Sequence, residues 1–361
     1  MKRILVPFTT AELGGSQLSF FRLAELLKSD YIFDLWFFNS GPFIKIIKDA
    51  GYHHTLFNYS TLRTPWGLSQ LKKILKKNPP DYIYLHSSRM ISYLAKKLNI
   101  PCIEKINMTR QKNSGGWCRY PILDRFFSNL NAKLLVVSKS IKEQMIKRGI
   151  SAEKIDYLHT FIHLDQFKNN DNRHKTRMEL NIPQKAILVL NIGRMVEQKG
   201  QQDFIAVAEL CVQEDNNIHF LIVGEGPLEN TLKELVRTKN ITSNFHFSSF
   251  RDDIENMYHA ADIFVHCAHW EPLANVLLEA RASGKAIVAS DVDGTSEALE
   301  NYPYCDIVRV EDIKTMTQKT LSWAHNVPCL KAPELPEKFT PEGARKQFMK
   351  IFSCQNNDSN I

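Results

Sequence analysis

Residues 270–280 read Trp270-Glu271-Pro272-Leu273-Ala274-Asn275-Val276-Leu277-Leu278-Glu279-Ala280, two carboxylates eight residues apart, the first on a loop and the second inside the helix that the loop opens. Pro272 fits the first helical turn, where its missing N–H costs nothing. The run Val276-Leu277-Leu278 followed by Ala280 gives that helix a buried side. The unpaired N–H groups of its first turn carry partial positive charge and suit a diphosphate. Glu271 is placed to accept sugar hydroxyls and Glu279, two turns on, to accept ribose hydroxyls. The segment predicts a nucleotide-sugar clamp at the end of a βα unit.

The chain around it is long enough for two domains, each with its own core: 361 residues, 43% hydrophobic and 24% charged. Its seven cysteines are odd in number and form no CxxC pair, so neither a disulfide framework nor a zinc ribbon is expected, and a reducing cytoplasm is the natural setting. The start, Met1 to Phe8, opens like a signal peptide, but its apolar stretch ends at Thr9 and Thr10 and reads as a first strand. No stretch approaches the roughly 20 apolar residues of a membrane-spanning helix, so any membrane association is expected to be peripheral.

The net charge of +7 is unevenly divided. Residues 1–165 carry 25 Lys and Arg against 12 Asp and Glu, and residues 166–361 carry 21 against 27. The basic half includes Lys72, Lys73, Lys76 and Lys77, then Lys96 and Lys97, then Lys142, Lys147 and Arg148, interleaved with apolar residues as on amphipathic helices. The anionic surface of a cytoplasmic leaflet is the expected partner of this half; a solvated helix face has the same composition. Nucleic acid is not expected, because no recognition motif accompanies the charge.

Short β-rich runs alternate with helical periods throughout, the pattern of parallel βαβ units. Strands are expected at 4–8, 33–37, 82–85, 102–106 and 133–137, with helices at 16–28, 66–77 and 90–97 between them. A second series is expected at 186–191, 219–223, 245–247, 263–267, 286–290 and 307–310. The boundaries predict a first Rossmann-like domain over 1–165, a linker near 162–177, a second domain over 166–340, and a final helix with a polar tail over 341–361.

Several turns sit directly after strands, at the sheet edge where doubly wound folds bind ligands. Ala11-Glu12-Leu13-Gly14-Gly15-Ser16 offers two glycines for close backbone approach and Ser16 as a helix N-cap; a plain tight turn uses the same residues. In Asn191-Ile192-Gly193-Arg194-Met195-Val196-Glu197-Gln198-Lys199-Gly200, Arg194 and Lys199 can converge on one pyrophosphate without a metal ion; a pair of surface charges has the same pattern. Val223-Gly224-Glu225-Gly226-Pro227-Leu228 begins like a dinucleotide fingerprint but has Glu229 where its third glycine belongs, and reads as a turn that lets the next helix approach the nucleotide. His86, followed by Ser87, Ser88 and Arg89, brings an imidazole and several donors to the end of its strand. His266 and His269 lack a third convincing ligand, so no metal site is expected. Asn107, Arg110, Trp117, Arg119 and Tyr120 are acceptor-side candidates.

With these residues in place the chain resembles the GT-B glycosyltransferases of the large retaining family 4, which includes bacterial lipopolysaccharide-core, capsule and phosphatidylinositol mannosyl transferases. The resemblance spans nearly the whole chain. It rests on Gly14-Gly15, the run Asp81 to His86, Val137-Ser138-Lys139-Ser140, Gly193-Arg194 with Lys199-Gly200, Val223 to Pro227, and Glu271 through Glu279. It implies an α/β fold of two Rossmann-like domains whose parallel sheets face across a cleft, the first binding acceptor and the second nucleotide-sugar. It further implies that His86, Arg194, Lys199 and Glu271 serve catalysis. The donor would be bound by Gly14, Gly15, Gly193, Gly224, Leu273, Ala274, Asn275 and Glu279. His86 corresponds to a donor-sugar contact, Gly15 approaches the distal phosphate, Arg194 and Lys199 hold the diphosphate, and Glu279 takes the ribose.

The expected activity is transfer of a sugar from a nucleotide diphosphate, UDP by family frequency, to a lipid-linked or oligosaccharide acceptor of lipopolysaccharide or another envelope glycan. No cofactor and no metal are implied. The expected place is the cytoplasm, on the inner face of the membrane where the basic half docks. Departures from the family pattern are Pro272-Leu273-Ala274 in place of Gly-Phe-Gly, Ala268 where serine is frequent, and no histidine near Ile106-Asn107. The alternatives are a non-catalytic binding subunit, which would be expected to have lost one of Arg194, Lys199 or Glu279, and a sugar-nucleotide epimerase, which needs no acceptor.

Overall fold

The computed structural model describes residues 1–86, 88–106, 126, 128–168, 172–327 and 335–353. They divide into two compact units, Met1–Thr160 with Pro341–Ile361, and Phe161–Thr340.

The first unit runs β1 (Lys2–Phe8), α1 (Gly15–Leu27), β2 (Tyr31–Phe37), α2 (Pro42–Asp49), β3 (His54–Leu56), α3 (Pro65–Lys77), β4 (Tyr82–Leu85), α4 (Arg89–Lys97), β5 (Cys102–Ile106), β6 (Lys133–Val136), α5 (Lys139–Lys147) and β7 (Ile155–Tyr157). Its seven strands lie in the order β3-β2-β1-β4-β5-β6-β7 and pair in parallel. The second unit runs α6 (Arg173–Glu179), β8 (Ile187–Ile192), α7 (Gln201–Glu214), β9 (Ile218–Val223), α8 (Glu229–Thr238), β10 (Phe245–Ser248), α9 (Ile254–Ala260), β11 (Ile263–His266), α10 (Asn275–Ala282), β12 (Ala286–Ser290), α11 (Thr295–Ala298), β13 (Cys305–Val308) and α12 (Ile313–His325). Its order is β10-β9-β8-β11-β12-β13, again parallel. In each sheet the order reverses once, between β1 and β4 and between β8 and β11. The loops leaving those strands splay apart there and leave room for a ligand.

A last helix, α13 (Pro341–Ser353), belongs to the first unit. Phe348 and Phe352 stack at 4.1 Å and meet Tyr31, Tyr82 and Tyr84 edge-on or tilted, while the Tyr82 hydroxyl donates to the Phe352 carbonyl at 3.0 Å. Arg345 pairs with Asp30 at 2.7 Å.

Most strands fall within two residues of the ranges that alternation predicts. The three-residue edge strands β3 and β7 carry too short a pattern to be read that way. The last strand lies at Cys305–Val308, two residues before the expected 307–310, because its ladder starts where Ile287 N–H bonds Tyr304 and the chain turns at Glu311 with φ 64°. The segment expected to be a linker, 162–177, contains the start of α6, whose Arg177 is completely buried.

That arginine organises the second sheet. Arg177 donates to the carbonyls of Ala260, Pro183, Gln184 and Ala186 and pairs with Asp262 at 2.8 Å. Arg173 pairs with the other oxygen of Asp262 at 2.6 Å, and Asp262 also accepts the Leu188 N–H at 2.8 Å. A buried charge survives when its hydrogen bonds are met, and here all three partners are ionised or backbone groups. Asp262→Ala leaves Arg177 charged and unpaired, and is expected to cost about 3–5 kcal/mol. Urea unfolding checks this; a midpoint within error of the wild type would refute it.

Candidate donor site and the family it identifies

At the switch point of the second unit three loops pack backbone against backbone. Gly224 has φ 145°, and a Cβ there would lie 2.2 Å from the Gly193 carbonyl oxygen. Gly200 has φ 61°, and a Cβ would lie 2.0 Å from the Cys267 carbonyl. Both positions therefore require glycine, for conformation and for space. Hydrogen bonds lock the same contacts: Met195 N–H to Glu225, His269 N–H to Gln198, and the Gln198 amide to the Trp270 carbonyl. Gly224 thus brings two loops together.

On this scaffold Lys199 folds over Gly193 and pairs with Glu271, both side chains mostly buried. Arg194 is exposed. His266, at the end of β11, is 2% exposed, and neither ring nitrogen has a hydrogen-bond partner. Burial first, and then the Lys199 ammonium, lower its pKa to about 3, so the ring is neutral. His269 Nε2 lies 2.8 Å from Asp203. Among the described residues no group of three or more His, Cys, Asp or Glu could hold a metal ion.

The helix of the quoted segment, α10, begins at Asn275 and not at Pro272. Pro272 lies in the preceding bend, where Gly294 packs against its carbonyl and against Leu273. The cap, Ala274, has no side-chain acceptor. Among the described residues the amides of Leu273, Ala274 and Asn275 donate to no backbone carbonyl, so the helix end keeps its donors for an anion. Glu279 is buried on the second turn, with Oε2 3.0 Å from the Tyr258 hydroxyl, which also lies 3.1 Å from the Val276 carbonyl. Burial and the Glu279 charge keep that phenol protonated. Tyr258, from α9, orients Glu279 and has no sequence signal, since nothing in the chain order brings it to α10.

In the first unit α1 begins at Gly15 with Gly14 as its cap, and Ser16 is not the cap that the sequence suggested. Its hydroxyl is taken instead by His86, with Oγ and Nδ1 3.1 Å apart. The His86 ring stacks on Phe8 and meets Phe20 and Tyr84 edge-on. Its Nε2 is buried with no hydrogen-bond partner among the described residues. Lys105, on β5, lies in the same surroundings and was missed, because a lysine in a strand pattern reads as a surface residue. Ser87, Asn107, Arg110, Trp117, Arg119, Tyr120 and the side chain of Arg89 lie outside the described residues.

The site residues therefore gather on two separate sheet edges. Arg194, Lys199, Glu271, Glu279 and the amides of α10 share one; Gly14, Gly15, Ser16 and His86 share the other. Residues 14–166 match the family model described as Glycosyltransferase Family 4, and residues 172–344 match Glycosyl transferases group 1. The chain is 26% identical over 320 residues to the UDP-Gal:alpha-D-GlcNAc-diphosphoundecaprenol alpha-1,3-galactosyltransferase of Escherichia coli, covering 83% of this chain and 82% of that protein. A glycosyltransferase structure from Rickettsia africae superposes with TM-score 0.82 at 17% identity over 99% of both chains. Anabaena Alr3699/HepE, solved in complex with UDP-glucose, superposes with TM-score 0.77 at 18% identity over 98% of this chain and 100% of its own. Two switch-point sites, two family models spanning both units and a shared fold together identify the chain as a GT-B glycosyltransferase, a nucleotide-sugar-dependent enzyme related to family 4 and group 1.

Proposed function

We propose that the enzyme transfers a sugar from a UDP-sugar, with retention of anomeric configuration, to a lipid-linked or oligosaccharide acceptor in lipopolysaccharide or another envelope glycan. The observation that carries this is the Lys199–Glu271 pair beside the uncapped end of α10. A cation and a carboxylate that hold each other can exchange into a donor, Lys199 to the diphosphate and Glu271 to the sugar hydroxyls, with no net charge left uncompensated. UDP-Gal in the name of the Escherichia coli relative and the UDP-glucose complex of the Anabaena protein support the choice of base.

In this reading the bond from the anomeric carbon to the β-phosphate oxygen breaks and its electron pair stays on the phosphate. The acceptor oxygen bonds the same face of the anomeric carbon and passes its proton to the departing phosphate. Arg194, Lys199 and the amides of Leu273, Ala274 and Asn275 stabilise the charge that develops there. Glu279, steadied by Tyr258, accepts ribose hydroxyls, Gly15 approaches the distal phosphate, and His86 contacts the donor sugar. Residues 1–165 serve as the acceptor domain and 166–340 as the donor domain.

The basic unit is proposed to rest on the cytoplasmic face of the inner membrane. Trp66, at the start of α3, is 78% exposed, and Lys73, Lys76 and Lys77 on the same helix are exposed. Leu71 and Leu75 anchor the opposite side in the core. An aromatic ring beside lysines fits an anionic lipid interface. No helix among the described residues is long and apolar enough to cross a membrane.

Calorimetric titration with UDP, GDP, ADP and CMP should show one tight binder, UDP, whose binding is lost in Glu279→Ala; binding of none would remove the transferase reading. Lys199→Ala should lose roughly 2–4 kcal/mol of barrier stabilisation in kcat, and near-normal turnover would remove its role. Sedimentation with phosphatidylglycerol vesicles should fall steeply between about 0.1 and 1 M salt, as the Debye length shrinks from about 10 to about 3 Å, and should weaken in Trp66→Ala. Salt-insensitive binding, or none, counts against docking.

A further inference from the structure

Lys105 is 3% exposed, and its one hydrogen bond among the described residues runs from Nζ to Ser19 Oγ at 3.2 Å. An ammonium has three donors, so two are unspent, and no carboxylate among the described residues neutralises it. Burial lowers its pKa to about 8, against an ordinary 10.5. The sign follows: from about pH 8 to 10.5 the unfolded chain holds the proton that the folded one has lost, so stability rises with pH across that window. Below pH 8 the charged lysine weakens the fold. A buried charge that works against stability and lies beside a candidate site residue points to function.

The group beside it is His86. Lys105 and His86 each reach α1 through a serine, Ser19 and Ser16, one turn apart on the helix. Phe8 faces the imidazole from β1, Ser16 and Phe20 from α1, Tyr84 from β4 and Lys105 from β5. Of these only Tyr84 and Lys105 titrate, and burial holds the Tyr84 phenol protonated. Burial first, and then the Lys105 charge, lower the His86 pKa to about 3. The ring's remaining polar atom, Nε2, has no partner among the described residues.

We propose that Lys105 is a positioning residue for His86: through Ser19 it braces the first turns of α1, where Ser16 holds the ring, and its charge adds to burial in opposing protonation of the imidazole. This rests on His86 being a sugar contact. A neutral ring keeps one nitrogen as donor and one as acceptor, so Nε2 takes whichever role Nδ1 does not take toward the Ser16 hydroxyl. A protonated ring would donate from both nitrogens and bring a second cation against Lys105.

The test is an NMR titration of the His86 ring in the wild type and in Lys105→Met, which needs no substrate. In the wild type the ring should stay neutral down to about pH 5 and its resonances should shift with a midpoint near pH 8, as Lys105 loses its proton. In Lys105→Met the His86 midpoint should rise by at least about one unit, and the protein should melt at a higher temperature. kcat should fall about tenfold, the scale of one misdirected hydrogen bond, with nucleotide affinity unchanged. In a His86→Ala background the same substitution should have no further effect on kcat. A wild-type ring that ignores the step near pH 8 overturns the proposal without any variant, and so does an unchanged His86 titration in Lys105→Met. If the protein binds no nucleotide while the titration behaves as stated, the transferase reading fails and the coupling of the two groups stands.

Discussion

The second unit depends on one ionic contact at the end of the sheet opposite its site. Asp262 stands just ahead of β11, accepts the Leu188 N–H of β8, and is held by Arg177 and Arg173 from α6. Because β8 and β11 are the two strands between which the sheet order reverses, fixing their amino ends against each other sets how their carboxyl ends diverge. The loop with Arg194 and Lys199 leaves one strand and the loop with Glu271 leaves the other. The charge pairing of the site is thus inherited from a register fixed about four residues away along each strand, roughly 13 Å at ordinary strand rise.

Charge is handled in opposite ways on the two sheet edges. In the second unit Lys199 meets a carboxylate, so its site is neutral as a pair and can exchange partners. In the first unit Lys105 meets, among the described residues, only a hydroxyl, and its uncompensated field acts on a neighbour. Both sites nevertheless contain a buried histidine, His266 and His86, that burial and a lysine together keep neutral. Neutral imidazoles in such settings act as directional hydrogen-bonding groups and not as charges.

Much of this was legible in the sequence, and the exceptions share a cause. The central strands were readable because they are long apolar runs buried on both faces. Local spacing placed Arg194, Lys199, Glu271 and Glu279 on elements leaving the correct strands, because each belongs to one continuous turn. Local rules misjudged the caps. Ser16 and Pro272 both have the chemistry of a helix start, yet a histidine from β4 takes the serine hydroxyl, and the packing of Gly294 moves the helix start past the proline. Lys105, Tyr258 and Arg177 were invisible for a related reason. Their significance comes from what surrounds them, and the partners that decide it are 18 to 86 residues away in the chain.

The placement of α13 gives the fold a temporal order. Tyr31, Tyr82 and Tyr84 belong to the first strands to leave the ribosome, but the phenylalanines that cover them come from residues 348 and 352. During synthesis the first unit must therefore wait, with an aromatic face uncovered, while all of the second unit is made. The second unit closes on its own segments and can fold in the interval. Of the two units the one made first is completed last, and nascent chains of this protein pass through a stage in which chaperone binding to that face would compete with the arrival of α13.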